Sequence, residues 1–574
     1  MPVPEEPDTQ PPAPWWKHAV IYQIYPRSWA DSTGDGDGDL RGIARRLPHL
    51  RTLGVDAVWL SPFYTSPQAD NGYDVADHRD VDPRHGTLAD FDLMLGTAHG
   101  LGLKVIIDLV PNHSSDEHPW FQEALAAGPG SRARRRYIFR DGRGPAGEEP
   151  PNDWLSIFGG PAWTRVTEAD GSPGQWYLHL FLRKQPDFDW SNPEVADEFE
   201  DVIRFWLDRG VDGFRIDVAH GMIKAPGLPD YDVTAHYSDH TLRPGTPRPP
   251  MWDQPPVHDI HRRWRRITDG YGEPARILCA EAYVKPVGRA MEYVRPDELH
   301  QAFNFDILQA YWDAADLRSV IDSSIAAAEA VGAPVTWVLS NHDEVRHASR
   351  YGLPSGSGRL PNGVGPDDPQ PDRPAGLRRA RAATTLVLGL PGSVYLYQGE
   401  ELGLPESTLM EHSARRDPTY ERSGGRELGR DGCRVPMPWE KDAPSFGFGP
   451  TDATWLPQPP YYGEYAVDQQ DGVEGSTLEL YRELLRLRRE LALGTGTSRA
   501  AEGFPADVLA YTVRPDREIL VLANLGPRPV ALPPHARVLV SSGPLTEAGE
   551  VPTDTAVWAV LGSSPSPGEE PAGR

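Results

Sequence analysis

Short apolar runs recur along the chain, and helix-like segments separate several of them. Eight of these runs have the length and apolar character of buried strands. They cover residues 19–26, 55–63, 104–110, 210–218, 276–282, 302–306, 335–343 and 392–401. Between two of them, residues 192–210 show the three- and four-residue spacing of an amphipathic helix. Near-continuous apolar strands that alternate with helices predict a parallel sheet covered on both faces.

Eight such units predict an α/β fold, a (β/α)8 TIM barrel, whose active site lies at the C-terminal ends of its strands. Polar residues are concentrated at those ends, in the segments LSPF, DLVPNH, FRIDV, CAEAY, SNHDE and YQGEE. A flattened, doubly wound parallel sheet is the alternative architecture.

Two irregular stretches and a change of pattern near the end define the domains. A segment rich in Gly, Pro, Trp and Arg follows the third strand, and a long Pro/Gly loop, 346–375, follows the seventh. After a predicted helix at 475–493 the apolar residues alternate, as in antiparallel strands. The predicted domains are the barrel at 15–113 and 187–495, an inserted small domain at 114–186, a C-terminal antiparallel β-sandwich at 496–561, and disordered tails at 1–14 and 562–574.

The charge balance argues against two classes of partner. The 574 residues contain 57 Lys and Arg against 83 Asp and Glu, a formal net charge of −26. Such an acidic surface repels nucleic-acid phosphates and anionic lipid, so neither is an expected partner. No apolar run is long enough to span a membrane, and the first residues lack the pattern of a signal peptide. With only two cysteines, and Cys279 in an apolar run, a disulfide framework is not expected and a cytoplasmic location is predicted.

The segment GVDGFRIDVAH, 210–220, contains an unexpected pair of charges. In a strand, side chains at i and i+2 point to the same face, so Arg215 and Asp217 lie side by side. A cation and an anion in an apolar strand are costly unless they pair or are used in chemistry.

Three predicted strand ends deliver a carboxylate: Asp217, Glu281 and Asp343. They are too far apart in sequence to pair locally, so only the fold can bring them together. Carboxyl groups that converge at a barrel mouth suit glycoside hydrolysis, which needs two of them around the scissile bond. The alternative for each one is a structural ion pair with a neighbouring arginine.

The segments DLVPNH, GFRIDVAH, CAEAY and LSNHDE, in this order, resemble the four short regions of glycoside hydrolase family 13, the α-amylase superfamily. The resemblance runs from about Trp15 to 561 and includes the inserted domain and the C-terminal β domain.

The resemblance implies a role for each residue of these segments. Asp217 is the implied catalytic nucleophile, which Arg215 keeps ionised, and Glu281 the general acid and then base, with a raised pKa. Asp343 is the implied third acid, which grips the 2- and 3-hydroxyls of the sugar. The implied hydrogen-bond donors to the same sugar are His113 and His342. The implied chemistry is retaining, with the carboxyl groups of Asp217 and Glu281 about 5–5.5 Å apart.

The segment DNGYDVADH, 70–78, resembles the oligosaccharide-acting α-glucosidase, or oligo-1,6-glucosidase, branch of the family. It implies that Tyr73 stacks on the terminal glucose and that Asp74 binds the hydroxyls at its far end. Arg430, in GRDGCRVPMPWE, would close the pocket opposite that aspartate, which gives exo action. The residues expected to line the pocket from the inserted domain are Phe158, Phe181 and Gln185.

The loop DSTGDGDGDLRGI, 31–43, places oxygen-bearing side chains at alternate positions with glycines between them. The candidate ligands are Asp31, Thr33, Asp35, Asp37 and Asp39. Hard oxygens on a flexible turn are the ligands that Ca²⁺ prefers, and the loop resembles the metal loop of the same branch. An acidic, solvated turn without a metal is the alternative.

These observations predict an exo-acting, retaining α-glucosidase that removes terminal non-reducing α-D-glucosyl units, α-1,4 or α-1,6 linked, from short oligosaccharides or glucosides. The expected partner is a small sugar, with no organic cofactor. A glucosyltransferase or a trehalose-synthase-like isomerase would use the same intermediate and is the first alternative. A non-catalytic scaffold would have lost one of the three acids or gained a membrane anchor, and the sequence shows neither. The sequence carries no signal for the oligomeric state.

Overall fold

The computed structural model describes residues 13–231, 248–354, 362–513 and 518–561. The predicted disordered tails lie almost entirely outside these residues, as does part of the predicted loop after the seventh strand.

All eight predicted barrel strands are present. They are β1 (Val20–Ile24), β2 (Ala57–Leu60), β3 (Lys104–Leu109), β4 (Gly213–Ile216), β5 (Ile277–Ala280), β6 (Gln301–Ala302), β7 (Thr336–Val338) and β8 (Ser393–Tyr397). They form one parallel sheet in the order β6-β5-β4-β3-β2-β1-β8-β7. A hydrogen bond of 3.2 Å from the N–H of Asn304 to the carbonyl oxygen of Thr336 joins the two ends. The predicted TIM barrel is therefore confirmed.

Helices surround this sheet. After the successive strands they are Leu40–Leu53, Leu88–Gly100, Pro193–Asp208, Val257–Asp269, Val287–Ala290, Ala314–Val331, Arg373–Gly389 and Thr477–Glu490. The shorter helices are Pro119–Ala127, Phe305–Gln309, His347–Arg350 and Pro418–Arg422. The helix predicted at 192–210 begins after Asn192, whose side chain accepts the N–H of Glu194 and so caps the first turn.

The alternation of side chains along each strand produces two apolar layers. Ile21 and Trp59 point into the barrel, where they pack with Ile106 and Cys279. The neighbouring residue Tyr22 points outward, into the larger core between the sheet and the helices. Cys279 is a buried free thiol, as predicted.

The sixth strand is shorter than predicted. Only Gln301 and Ala302 pair with β5, and a helix starts at Phe305 instead of a continued strand. The cause is Asn304, whose side-chain oxygen accepts the N–H of Ile307 at 3.2 Å and caps the helix.

Three further sheets lie outside the barrel among the described residues, and the smallest pairs Tyr64–Thr65 with Asp77–Val81. The insert contains a three-stranded antiparallel sheet of Phe139–Arg140, Trp163–Thr167 and Pro173–Leu178. The C-terminal region contains Ser498–Ala500, Val508–Val513, Ile519–Asn524, Arg537–Ser541 and Thr555–Val560.

In the described part of the C-terminal region these strands form one five-stranded sheet rather than the two packed sheets of the predicted sandwich. One face of this sheet packs on the Arg373–Gly389 helix instead, where the indole N–H of Trp558 donates to the carbonyl oxygen of Thr385 at 2.7 Å. Among the described residues, no helix is long and apolar enough to cross a membrane.

Candidate active site

The register of the parallel strands brings the first two acids together. Arg215 of β4 lies opposite Cys279 of β5 on one side and Asp108 of β3 on the other. The hydrogen bonding between the strands continues just past their C-terminal ends. The N–H of Asp217 donates to the carbonyl oxygen of Leu109 at 2.9 Å, and the N–H of Glu281 donates to that of Ile216 at 3.0 Å. Asp217 and Glu281 thus follow directly on adjacent strands at the same edge.

Arg215 joins three carboxylates. Its Nη1 lies 2.7 Å from Oδ1 of Asp217 and 3.0 Å from Oδ1 of Asp108, and its Nη2 lies 3.1 Å from Oε2 of Glu281. The Arg215 side chain is only 2 % exposed, so these charged hydrogen bonds operate in a nearly dry site. Arg215 and Asp217, which the strand pattern placed side by side, therefore form an ion pair, and Asp108 and Glu281 also contact the same guanidinium.

Burial and neighbouring charges raise the pKa of two of these acids, Asp217 and Asp108. Burial raises the pKa of Asp217, the nearby charge of Glu281 raises it further, and Arg215 opposes both effects. Burial likewise raises the pKa of Asp108 to about 7, against the opposing charge of Arg215. The raised pKa of Asp217 runs against the expectation that Arg215 keeps this acid ionised, and Asp108, with a pKa of about 7, is partly protonated near neutral pH.

His342 is held between two polar side chains. Its Nε2 lies 2.6 Å from the hydroxyl of Tyr73 and its Nδ1 lies 2.7 Å from Nε2 of Gln23. The rings of Tyr73 and His342 are nearly parallel, with centroids 5.5 Å apart. Burial lowers the pKa of His342 well below its usual value, so its imidazole is neutral at pH 7. Both ring nitrogens of His342 are thus engaged within the protein, so a ligand would reach this ring only by replacing one of these contacts.

Asp343 is held by two arginines. Its Oδ1 accepts hydrogen bonds from Arg430 Nη1 at 3.2 Å and from Arg434 Nη2 at 2.8 Å. Burial alone would raise the pKa of Asp343, but His342 and the two guanidinium charges together lower it. Asp343 is therefore ionised at every pH at which the protein would be assayed.

Arg430 connects Asp343 to two more acids. Its Nη2 donates to Oδ1 of Asp70 at 2.8 Å, and its Nε donates to Oδ2 of the buried Asp417 at 2.6 Å. The ring of Phe158, from the insert, lies 5.3 Å from the guanidinium carbon. Arg430 thus joins the barrel, the insert and the loop around 417 across one end of the site.

The acid opposite Arg430 is Asp70, which corrects the expectation for Asp74. Both carboxylate oxygens of Asp74 accept backbone N–H groups, from Ala69 at 2.7 Å and from Asp70 at 2.9 Å. Burial raises the pKa of Asp74 to about 6. Asp74 therefore fixes the turn that presents Asp70, and it does not face Arg430.

The insert supplies the other predicted side chains. Nε2 of Gln185 lies 3.1 Å from Oδ2 of Asp70 and 3.2 Å from Nε2 of His113. The ring of Phe181 lies 4.9 Å from that of His113 and 6.1 Å from that of Phe158. Burial lowers the pKa of His113 to about 4, so this ring is also neutral.

Sequence reasoning missed several residues of this network. Arg434 and Asp70 could have been predicted, because Arg434 lies in the segment GRDGCRVPMPWE and Asp70 begins the segment DNGYDVADH. Lys224 gave no signal: it is buried, and its Nζ lies 2.8 Å from both Oδ2 of Asp187 and Oδ1 of Asn112. The amide of Asn112 in turn donates to Asp187 at 3.1 Å, which ties the end of β3 to the insert.

The oxygen-rich loop at 31–39 adopts a tight turn beside the barrel. The Asp31 carboxylate accepts backbone N–H groups from within the turn, among them that of Gly34 at 2.7 Å. Arg27 pairs with Asp37 and also donates to Oδ1 of Asn71 at 3.2 Å. The donor set is all oxygen and rich in negative charge, the chemistry that Ca²⁺ prefers, but Asp37 is engaged by Arg27 and both oxygens of Asp39 accept backbone N–H groups, from Ser32 at 2.6 Å and from Gly42 at 2.7 Å.

Residues 23–496 match the sequence profile of the family described as "Alpha amylase, catalytic domain". The chain belongs to this family. In this member of the α-amylase family, residues 496–558 match a second profile, described as "Domain of unknown function (DUF3459)".

Its curated relatives include glucosidases from bacteria. A "Probable alpha-glucosidase" of Rhizobium meliloti is 38% identical over 84% of this chain and 83% of its own length. An "Oligo-1,6-glucosidase" of Parageobacillus thermoglucosidasius is 36% identical over 83% and 84% of the two chains. The predicted family and branch are thereby confirmed.

Solved structures similar to this α-amylase family member include a glucosyl-transfer enzyme and a trehalulose synthase. The crystal structure of an "alpha-glucosyl transfer enzyme, XgtA" aligns with a TM-score of 0.81 and 36% identity over 95% of this chain and 99% of that one. A trehalulose synthase from Pseudomonas mesoacidophila aligns with a TM-score of 0.81 and 31% identity over 96% and 100% of the two chains.

Proposed function

We propose that the protein is a retaining, exo-acting α-glucosidase that removes terminal non-reducing α-D-glucosyl units, α-1,4 or α-1,6 linked, from short oligosaccharides or glucosides. The observation that carries this proposal is the contact of one guanidinium, that of Arg215, with both Asp217 and Glu281. Two carboxyl groups held this close on adjacent strand ends suit a double displacement, which needs a separation of about 5–5.5 Å.

In this proposal Asp217 attacks the anomeric carbon while Glu281 protonates the departing oxygen. Oε2 of Glu281 already accepts hydrogen bonds from Arg215, at 3.1 Å, and from the Val218 N–H, at 2.9 Å. Oε1 is therefore the oxygen suited to carry the proton. Once the leaving group departs, the ionised Glu281 removes a proton from water, which attacks the glucosyl–Asp217 bond and releases the sugar with its original configuration.

Recognition of the sugar rests on the ionised Asp343 and the two neutral histidines. Asp343 is a fixed acceptor for vicinal hydroxyls and a negative charge beside a developing oxocarbenium ion. In this proposal His113 and His342 bind the same sugar ring, and the sugar replaces the present contacts of their Nε2 atoms with Gln185, at 3.2 Å, and with Tyr73, at 2.6 Å. Tyr73 offers an aromatic face for the sugar to stack on.

Exo action follows from the closure of one end of the site. The Asp70–Arg430 pair and Phe158 block the path along which a longer chain would extend beyond the first sugar. Only a terminal unit then fits behind the scissile bond. Relatives named α-glucosidase and oligo-1,6-glucosidase support this preference for short substrates.

We further propose that Ca²⁺ binds the 31–39 loop through Asp31, Thr33, Asp35 and Asp39, with Asp37 contributing beside Arg27. The ion would act structurally, because this loop adjoins the Asn71 turn rather than Asp217 and Glu281. The free, buried state of both cysteines is compatible with the proposed cytoplasmic location.

Transfer to a sugar or alcohol acceptor, or isomerisation, is the second candidate, favoured by the similarity to solved glucosyl-transfer and trehalulose-synthase structures. The test is parallel incubation with maltose, isomaltose, sucrose and trehalose, followed by anomer-resolved NMR at early times. Early α-glucose that disappears in Asp217→Ala and Glu281→Gln supports the hydrolase. New disaccharides with little free glucose support transfer. Early β-glucose, or turnover that survives either substitution, overturns the mechanism.

A further inference from the structure

A cluster of two histidines and a glutamate lies outside the site described above. Among the described residues, His258, His261 and Glu298 each place one ligand-type atom within 4.8 Å of the others, and all three are buried. His258 and His261 are three residues apart on the Val257–Asp269 helix, so they share one face. Glu298 lies on the segment that leads into β6.

His261 is the unusual member of this cluster. Its side chain is fully buried, yet neither ring nitrogen makes a hydrogen bond of normal geometry. A buried polar group without a partner destabilises the fold and calls for an explanation, of which a bound ion is one.

Glu298 is oriented as a metal ligand would be. Its Oε1 accepts hydrogen bonds from Arg262 at 2.8 Å and from Arg295 at 2.9 and 2.7 Å. Its Oε2 is thereby turned toward Nδ1 of His258, 2.7 Å away. Outer contacts of this kind fix the geometry of ligating carboxylates.

We propose that His258, His261 and Glu298 form a binding site for a Zn²⁺-type transition-metal ion. Two imidazole nitrogens and one carboxylate oxygen are ligands suited to Zn²⁺, and a water would complete a tetrahedral shell. The ion would replace the hydrogen bond between His258 and Glu298 and would give His261 a stronger partner than its loose contact with the backbone of Ala219. The partly exposed Glu292, whose Oε2 lies 3.9 Å from Nε2 of His258, marks the side from which an ion reaches the cluster.

The site lies behind the nucleophile rather than in the sugar pocket. His261 faces the backbone of Ala219, two residues after Asp217. The N–H of Ala219 donates to the carbonyl oxygen of Glu281 at 2.9 Å. An ion here would therefore brace the turn that follows the nucleophile without touching the substrate.

The test is titration of the full chain with ZnCl₂ by calorimetry, in millimolar CaCl₂ so that the oxygen-rich loop is saturated. One equivalent is expected to bind tightly to the wild type. His258→Gln and His261→Gln should each weaken that binding at least about a hundredfold. His412→Gln changes a histidine outside the cluster that lies near Tyr420, and it should leave binding unchanged.

Co²⁺ provides a readout that does not depend on the variants. In the wild type, its visible spectrum should have the strong bands of four- or five-coordinate nitrogen ligation, and ZnCl₂ should displace it. If the wild type binds no tight equivalent, or if folded His258→Gln and His261→Gln bind Zn²⁺ as the wild type does, the proposal is overturned.

Discussion

The backbone N–H of Val218 donates a hydrogen bond of 2.9 Å to Oε2 of Glu281, so the residue after the proposed nucleophile holds the proposed acid. Val218 reaches this position with φ at 47°, in the left-handed region that β-branched residues rarely adopt. Such strain costs on the order of 1–3 kcal/mol and persists because neighbouring bonds fix the turn. The conformation of this turn therefore directs the backbone N–H of Val218 toward the carboxylate of Glu281.

Val218→Gly should keep this hydrogen bond, because the N–H remains and glycine adopts the left-handed conformation freely. The loss of a buried side chain and the relief of strain act in opposite directions, so the unfolding free energy should change by less than about 2 kcal/mol. The shape of the pH–rate profile should match that of the wild type. A loss of activity as large as that of Glu281→Gln would contradict this role.

Arg215→Lys should lower kcat/KM by at least about a hundredfold while the protein remains folded. An ammonium group cannot reproduce the separate contacts of two guanidinium nitrogens with Asp108, Asp217 and Glu281. Arg209→Lys, which changes a surface pair with Asp92, is the matched control and should be silent. Near-normal kcat/KM in Arg215→Lys would mean that the buried cluster does not set the charge of the acids.

Asp70→Asn should mainly weaken substrate binding, whereas Asp74→Asn should mainly lower the stability of the fold. Asp70 contacts Arg430 at the closed end of the pocket, so its loss should raise KM for short substrates about tenfold or more, with little change in Tm. The Asp74 carboxylate accepts two backbone N–H groups inside the fold, so its loss should lower stability by about 1–3 kcal/mol. Steady-state kinetics and thermal melts of both variants check this, and the reverse pattern would restore Asp74 as the sugar ligand.

Above about pH 7, stability should fall as the pH rises to about 9, whereas at lower pH the buried neutral histidines, His113 and His342 among them, make stability rise with pH. Burial raises the pKa of Glu400 to about 8, and Asp108 and Glu406, each near 7, shift in the same direction. A carboxyl group whose pKa is higher in the folded state stabilises that state fully below its unfolded pKa. This contribution is lost as the pH rises through the folded value. Glu400→Gln should flatten this dependence in thermal melts, and an unchanged slope would rule Glu400 out as its source.

Ca²⁺ should raise the Tm by a few degrees, and a chelator should lower it by a similar amount. Asp35→Asn, in the oxygen-rich loop, should reduce this response, whereas Asp452→Asn, outside the proposed ligand set, should retain it. Differential scanning calorimetry with Ca²⁺ and with chelator measures both. Equal melts of the wild type under the two conditions would favour the solvated-turn interpretation.

The sequence by itself determined the barrel, because apolar period and strand length are local properties that each segment carries. It also located Asp217 and Glu281, which directly follow their strands, and Asp343, in the loop after β7, since the C-terminal ends of parallel strands meet at one edge of the sheet. The pairing of Arg215 with Asp217 followed from the two-residue repeat of a strand.

Tertiary structure alone decided which side chains touch across distant segments. The partner of Arg430 is Asp70 rather than Asp74. In the turn that contains both residues, the Asp74 carboxylate binds backbone N–H groups, whereas the Asp70 carboxylate points toward Arg430. The Lys224–Asp187 pair and the cluster around His261 join residues whose contact depends on how helices and the insert pack on the barrel. Sequence periodicity predicts which face of a strand or helix a side chain lies on, but only the packing of the elements determines which residues contact that face.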